Sequence, residues 1–176
     1  MLNRIYTIGH STRTLAELVS LLRDHDVSRL ADIRRYPGSR RHPHFSRESL
    51  EQTLPQDGIL YEHFEALGGR RNPLKNSPNG AWENEQFRGY ADTMGTKEFQ
   101  AAVERLLHSA TPTAVMCAEA VPWRCHRNLL SDDLLRRNVE VIHILGTGST
   151  QPHMLNEMAR IDGDRVIYPP PQAEMF

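Results

Sequence analysis

Apolar and polar positions recur along the chain with two periods. The β-formers Ile5, Tyr6, Thr7 and Ile8 make Arg4 to Gly9 a strand. Thr14 and Glu17 then have the spacing of a capping box, and Leu15, Leu18, Val19 and Leu22 mark one helical face. Leu30 to Ile33 reads as a short second strand, and Pro37-Gly38-Ser39 as loop. Ser46, flanked by Phe45 and Leu50, has the pattern of an N-cap with a hydrophobic staple, which predicts a helix from Arg47 that ends before Pro55. Ile59 to Glu62 is a third strand. Leu67 to Ala81 is rich in Gly, Pro and Asn, and a loop of that length in a compact domain is often functional or mobile. Helical spacing returns at Phe87, Tyr90, Ala91 and Met94, and at Phe99, Val103 and Leu106 after Thr96 as a cap. Thr113 to Cys117 is a strand, Arg127 to Arg137 a helix and Val139 to Ile144 a strand. His153 to Arg160 predicts a short helix, and Val166 to Tyr168 a last edge strand stopped by Pro169-Pro170-Pro171.

This alternation predicts a single three-layer α/β/α domain over residues 1–176, with a mostly parallel central sheet. The length of 176 residues is enough for one domain with its own core. In open parallel sheets ligands sit beyond the carboxyl ends of the strands. Gly9-His10-Ser11, Asp32 with Arg34, Cys117 with Glu119, and His143 all fall near such ends, so they are expected on one rim.

Composition narrows the function. Mean hydropathy is -0.56 and there is no long apolar run, which argues against a membrane partner. The start of the chain has no leader-like apolar stretch, so a cytoplasmic location is expected, where two cysteines stay free thiols. A net charge of -1 excludes a polycation built for nucleic acid. The charge is uneven, however: Arg34, Arg35, Arg40, Arg41 and Arg47 crowd together with His42 and His44 among them.

The densest chemistry lies between Met116 and Arg127. Cys117 ends a strand and is read either as a nucleophile or as a small hydrophobe in a packed strand. In phosphatase and sulfurtransferase loops an arginine follows the cysteine by six positions; here that position is Trp123, and Arg124 comes one later. Cys125 and His126 suggest a metal site with His10, Asp32 or Glu119, but no paired ligand spacing supports one, and no metal ligand is assigned. Glu119 can act as general acid or base, or pair with Arg127 or Arg34. His10 and Ser11 can do acid–base or nucleophilic work, or Ser11 or Thr12 can simply cap a helix. Arg34, Arg40, Arg70, Arg71, Arg124 and Arg127 all lie in loops or at element ends, and guanidinium forks match phosphate and carboxylate oxygens. Trp82, Trp123 and Tyr36 can stack a base beside them, or be core or lid residues.

Tyr6-Thr7-Ile8-Gly9-His10-Ser11, Asp32-Ile33-Arg34, Pro37-Gly38-Ser39-Arg40, Leu67-Gly68-Gly69-Arg70-Arg71, Cys117-Ala118-Glu119 with Pro122 and Cys125-His126-Arg127, and His143-Ile144 resemble the domain-of-unknown-function 488 family. The blocks occur in the family's order over nearly the whole chain. The resemblance implies a compact α/β fold in which they gather at one site; it implies little about activity and leaves any cofactor open. The leading expectation is an enzyme acting on a phosphate-bearing or otherwise anionic substrate, a nucleotide or nucleic acid among them. Ser11 and the six arginines bind the substrate in that reading. Glu119 or His10 moves the proton, Cys117 is nucleophile or pocket wall, and Asp32 orients an arginine or the histidine. Replacing Arg34 or Arg127 by Ala is then expected to abolish binding at little cost in stability. The rivals are a non-catalytic nucleic-acid-binding module and a metal- or redox-responsive protein using Cys117, Cys125 and His126. The sequence leaves the oligomeric state open.

Overall fold

In the computed structural model, which describes residues 1–38 and 40–172, strands and helices alternate through most of the chain. They are β1 (Arg4–Gly9), α1 (Leu15–Arg23), β2 (Arg29–Asp32), α2 (Arg47–Thr53), β3 (Leu60–His63), α3 (Glu85–Met94), α4 (Lys97–Leu107), β4 (Thr113–Cys117), α5 (Arg127–Arg136), β5 (Glu140–Gly146), β6 (Ser149–Pro152), β7 (Arg160–Asp162) and β8 (Arg165–Ile167). Ser39, expected in a loop, lies outside the described residues. The helix starts are set by side chains. Thr14 and Glu17 form a reciprocal capping box, Ser46 accepts from the Ser49 N–H, and Thr96 accepts from the Phe99 N–H. Phe45 and Leu50, the staple pair around Ser46, are both fully buried.

The main sheet has the order β3-β2-β4-β1-β5-β6. All its pairings are parallel except β5 with β6. Strand β4 lies inside the sheet between β2 and β1, which is why its five residues, Thr113 to Cys117, are buried without alternation. Leu18 and Leu22 of α1 and Leu50 of α2 pack on Ile8, Leu30, Ala114 and Met116 on one face. Tyr90, Phe99, Leu106, Leu129 and Leu130, from α3, α4 and α5, pack on Ile5, Ala31, Val115 and Val141 on the other. The result is the three-layer arrangement expected.

The connection after β1 crosses one face toward β2, and the connection after β4 crosses the opposite face toward β5. Neighbouring strands whose chains leave in opposite directions open a crevice at their carboxyl ends. That crevice lies between Gly9 and Cys117, which are register partners. The ladder continues past the strands, with His10 N–H donating to Cys117 O (2.9 Å) and Ser11 N–H to Ala118 O (3.0 Å).

The C-terminal segment departs from expectation. His153 to Ala159 forms no helix; Met154 is 82% exposed, so a helix there has no apolar face to bury. Asp132, buried in α5, fixes the segment instead. Its carboxylate accepts from His153 Nε2 (2.8 Å), Asn156 N (3.1 Å), Asn156 Nδ2 (2.7 Å) and Tyr168 OH (2.6 Å). Strand β8 pairs with β7 in a separate hairpin rather than edging the main sheet. That edge belongs to β6, which the sequence pattern does not announce.

A side chain at Gly9 would put its Cβ 1.6 Å from the Glu119 carbonyl oxygen. The approach of β1 to the loop after β4 therefore requires glycine. Gly9→Ala is expected to lower stability by about 1–3 kcal/mol, as forced overpacking does. Urea denaturation checks this, and wild-type stability in the variant would show that the loop is free to move away.

Candidate functional site

A cleft of about 710 Å³ opens beyond the carboxyl ends of β1, β2 and β4. Residues from four stretches of chain wall it: His10 to Thr12; Arg34 to Tyr36 with Gly38, Arg41 and His42; Gly69-Arg70; and Cys117 to Glu119 with Arg124 to His126. Gln86 and Phe87 of α3 lie beside them. A side chain at Gly68 would bring its Cβ within 2.7 Å of the Arg35 backbone, so the second and third segments touch only because that residue lacks one.

Arg34 is the most rigidly placed cation. Asp32 is fully buried behind it and accepts from Arg34 N (3.1 Å), Nε (2.9 Å) and Nη2 (2.7 Å). Arg34 Nη2 also donates to Phe45 O (2.7 Å), and Tyr61 OH donates to Asp32 Oδ2 (2.5 Å). Burial and the Asp32 charge push the Tyr61 hydroxyl up, so it remains a donor. Arg34 Nη1 is left toward the cleft, 3.4 Å from His10 Nε2. Asp32 thus orients the arginine, one of the two roles expected for it.

His10 is 3% exposed and stacks on Phe45 with ring centroids 4.6 Å apart. Its Nδ1–H donates to Ser11 O (2.9 Å), which leaves the Nε2 lone pair facing the arginine. Burial, with the Arg34 charge adding to it, lowers its pKa to about 4, so the ring is neutral at pH 7. Ser11 has a left-handed backbone (φ 48°), and the helix cap is Thr14 rather than Ser11 or Thr12.

The loop after β4 brings the two cysteines to the cleft floor. Cys117 and Cys125 are both buried and both face the cleft. Cys117 Sγ lies 3.6 Å from Glu119 O; Cys125 Sγ lies 3.7 Å from His126 Nδ1 and accepts from Arg127 N–H at 3.5 Å. Burial opposes ionisation of Cys117. The hydrogen bond from Cys125, the Arg127 charge and the backbone at Glu119 outweigh it, so this thiol titrates below its ordinary range. Burial and the neighbouring Cys117 push Cys125 the other way. His126 Nε2–H donates to Ile33 O (3.3 Å), and burial lowers its pKa to about 4.

Several expected site residues meet in the cleft: Cys117, Glu119, His10, Ser11, Arg34, Arg70 and Arg124. Others do not. Arg40 is exposed outside the lining, and its neighbour Arg41 takes part instead. Arg71 turns its guanidinium to the carbonyls of Gly68 (3.0 Å), Glu65 (3.2 Å) and Ala66 (3.4 Å), bracing its own loop. Arg127 is fully buried. Its Nη2 donates to Glu119 O and Ala120 O (3.0 Å each) and its Nη1 to Thr7 Oγ1 (3.4 Å), while Nε has no partner. It holds up the cysteine loop from beneath, buried and outside the cleft lining. Glu119 meets Arg127 through its carbonyl, and its exposed carboxylate forms no ion pair among the described residues. His143, expected on the rim, is buried within β5 between Thr7 and His153, and Trp82 packs on Phe87 and Tyr168. Arg35 was passed over beside Arg34, although Arg35 and Arg70 both lie over the Tyr36 ring (5.4 and 5.9 Å) and Arg35 Nη1 donates to Arg70 O (2.7 Å). The place of Arg35 next to Arg34 in the basic stretch was the available signal.

The cleft is electropositive. Arg34, Arg35, Arg41, Arg70 and Arg124 line it, against Glu119 as the acid among its lining residues. Among the described residues no three His, Cys, Asp or Glu side chains are grouped to hold a metal ion. No helix there is long and apolar enough to cross a membrane. The profile of the family described as Domain of unknown function DUF488 matches residues 14–134, and the chain belongs to that family. No curated protein and no solved structure gives a significant match.

Two predictions follow from this geometry. Arg34→Ala leaves the Asp32 carboxylate buried without its cation, and it is expected to cost about 3–5 kcal/mol, against the small loss the sequence alone suggests. Arg124→Ala, at an exposed position, is expected to stay within about 0.5 kcal/mol of wild type. Chemical denaturation of the two variants measures the contrast. Acid sensitivity is the second. His10, His126 and His143 are held neutral, with pKa values of about 4, 4 and 3 against an ordinary 6.5, in each case chiefly by burial. The unfolded chain therefore takes up protons that the folded chain refuses. Their contribution is fully present above pH 6.5 and is lost as pH falls toward 4 and then 3. Each ring adds up to about 1.4 kcal/mol per pH unit in that window. A stability–pH curve that stays flat from pH 6.5 to 4 would contradict these assignments.

Proposed function

For this member of the DUF488 family we propose an enzyme that acts on a phosphate-bearing or similarly anionic substrate held in the cleft. The observation that carries the reading is the excess of arginine over carboxylate on the lining, with Arg34 locked in place by Asp32 before any ligand arrives. A preset guanidinium loses little freedom on binding, and a concave, low-dielectric wall strengthens its attraction for an anion. Arg34 offers Nη1, while Arg41, Arg70 and Arg124 close on the ligand from the rim. Glu119 moves the proton, since its carboxylate is committed to no cation and borders the same space. Neutral His10 accepts from Arg34 and keeps that donor aimed. The exposed Tyr36 ring between Arg35 and Arg70 supports a nucleotide as the anion's carrier, because a base stacks on such a surface.

A second reading, a nucleic-acid-binding module without catalysis, is favoured by the rim aromatics. Tyr36 is 59% exposed and Trp123 56%, both beside arginines.

Calorimetric titration with pyrophosphate, a nucleoside triphosphate and a short single-stranded oligonucleotide tests both. Binding is expected to weaken about tenfold in each of Arg41→Ala and Arg124→Ala, near 1.4 kcal/mol apiece, with thermal stability unchanged. Glu119→Gln is expected to bind as wild type and to lose turnover on a panel of phosphate esters. If the arginine variants bind all three probes as well as wild type, the cleft is not the anion site. Oligonucleotide binding with a steep salt slope and no turnover of any ester would establish the second reading instead.

A further inference from the structure

Neither reading uses the arrangement of the two sulfurs on the cleft floor. Cys117 ends β4 and Cys125 ends the loop that returns from it, so the polypeptide folds back to bring them together. They share one environment. Both belong to the same core cluster and both border the cleft, and each shifts the titration of the other. Arg127 links them, donating its backbone N–H to Cys125 Sγ (3.5 Å) and its guanidinium to the Glu119 carbonyl that Cys117 Sγ faces (3.0 Å). The pair is asymmetric. The Arg127 charge favours ionisation of both, but each sulfur tilts the other in opposite directions: Cys125 lowers the pKa of Cys117, and Cys117 raises that of Cys125. Cys125 has His126 Nδ1 at 3.7 Å, and that nitrogen is unprotonated because Nε2–H is spent on Ile33 O. A buried structural cysteine needs neither feature.

We propose that Cys117 and Cys125 form a redox pair that reacts with a small anionic disulfide admitted to the cleft. The Cys117 thiolate attacks one sulfur of the disulfide. A Cys117 mixed disulfide forms, the S–S bond of the small molecule breaks, and its other half leaves as a thiolate. Cys125 then gives up its proton, to His126 Nδ1 or directly to the departed thiolate, and attacks Cys117 Sγ. The second half of the small molecule leaves, and a Cys117–Cys125 disulfide remains. The protein dithiol has lost two electrons and two protons; the small disulfide has gained them as two thiols. The lower-titrating thiol attacks and the higher-titrating one resolves, which is the productive order for exchange. The charge preference rests on the anion-binding reading above; disulfide closure does not.

The test uses the reduced full-length chain with oxidised glutathione, followed by intact mass and peptide mapping. Wild type is expected to become lighter by two hydrogens, with Cys117 and Cys125 in one cross-linked peptide. Cys125→Ser is expected to stop at a single glutathione adduct on Cys117, and Cys117→Ser to react at least about tenfold more slowly than wild type. Iodoacetamide labelling of native wild type, which needs no variant to fold, is expected to modify Cys117 first. Stable adducts on wild type without cross-linking, unreactive thiols, or Cys125 labelled first would each overturn the redox pair. Cystamine, a cationic disulfide, is expected to react more slowly than oxidised glutathione, with the gap closing as salt rises. Equal rates with normal closure would remove the anion preference and leave the redox pair standing.

Discussion

A guanidinium with no exposure to water sits beneath the cysteine loop, and much of the site follows from it. Arg127 at the start of α5 holds the carbonyls of Glu119 and Ala120, and so fixes the curve of the loop after β4. Its charge favours the Cys117 thiolate and opposes protonation of His126 and His143. A buried cation is costly unless its surroundings answer it. Here the answer is a chain of contacts: Arg127 Nη1 donates to Thr7 Oγ1 (3.4 Å), Thr7 Oγ1 meets His143 Nδ1 (2.6 Å), His143 Nε2 meets His153 Nδ1 (3.0 Å), and His153 Nε2 reaches the Asp132 carboxylate (2.8 Å). The unpartnered Nε of Arg127 shows that the balance is incomplete. The Arg127 charge acts against burial at both thiols.

The Arg34–Asp32 pair solves the same problem nearer the surface. Asp32 is sealed inside, but its cation is at the edge of solvent, so part of the guanidinium borders the cleft. The two arginines thus divide the labour by depth. The inner one shapes the loop and favours the thiolate, and the outer one borders the cleft. Gly9 and Gly68 make this possible, because only backbone without a side chain lets the loops close to these distances.

The sequence revealed the elements that are locally determined. Thr14, Ser46 and Thr96 cap the helices they announce, because a hydroxyl three residues ahead of a free N–H acts regardless of tertiary context. The buried strand Thr113–Cys117 was legible from its unbroken apolar run. The segment from His153 onward was not, since its path is set by Asp132, more than twenty positions away, and by no local period. The cleft was legible as a place, because the topology puts strand ends together. The roles of its arginines were not. Arg34, Arg71 and Arg127 have one side chain in common and three different tasks, and the direction of a guanidinium is decided by which carbonyls and carboxylates the fold brings near.

The anion-binding and redox readings draw on one electrostatic source, which constrains how they coexist. A bound anion and a Cys117 thiolate both lower their energy in the potential made by Arg127 below and by Arg34 and Arg124 around the cleft. Two negative charges in one confined, poorly screened space repel. Occupancy by an anion therefore favours the protonated thiol, and formation of the thiolate weakens the anion by the same free energy. Closing the Cys117–Cys125 bond removes that negative charge without removing any arginine. The oxidised protein should accordingly hold an anion more tightly than the reduced one, which makes the oxidation state of the cleft floor and the occupancy of its mouth two readouts of a single field.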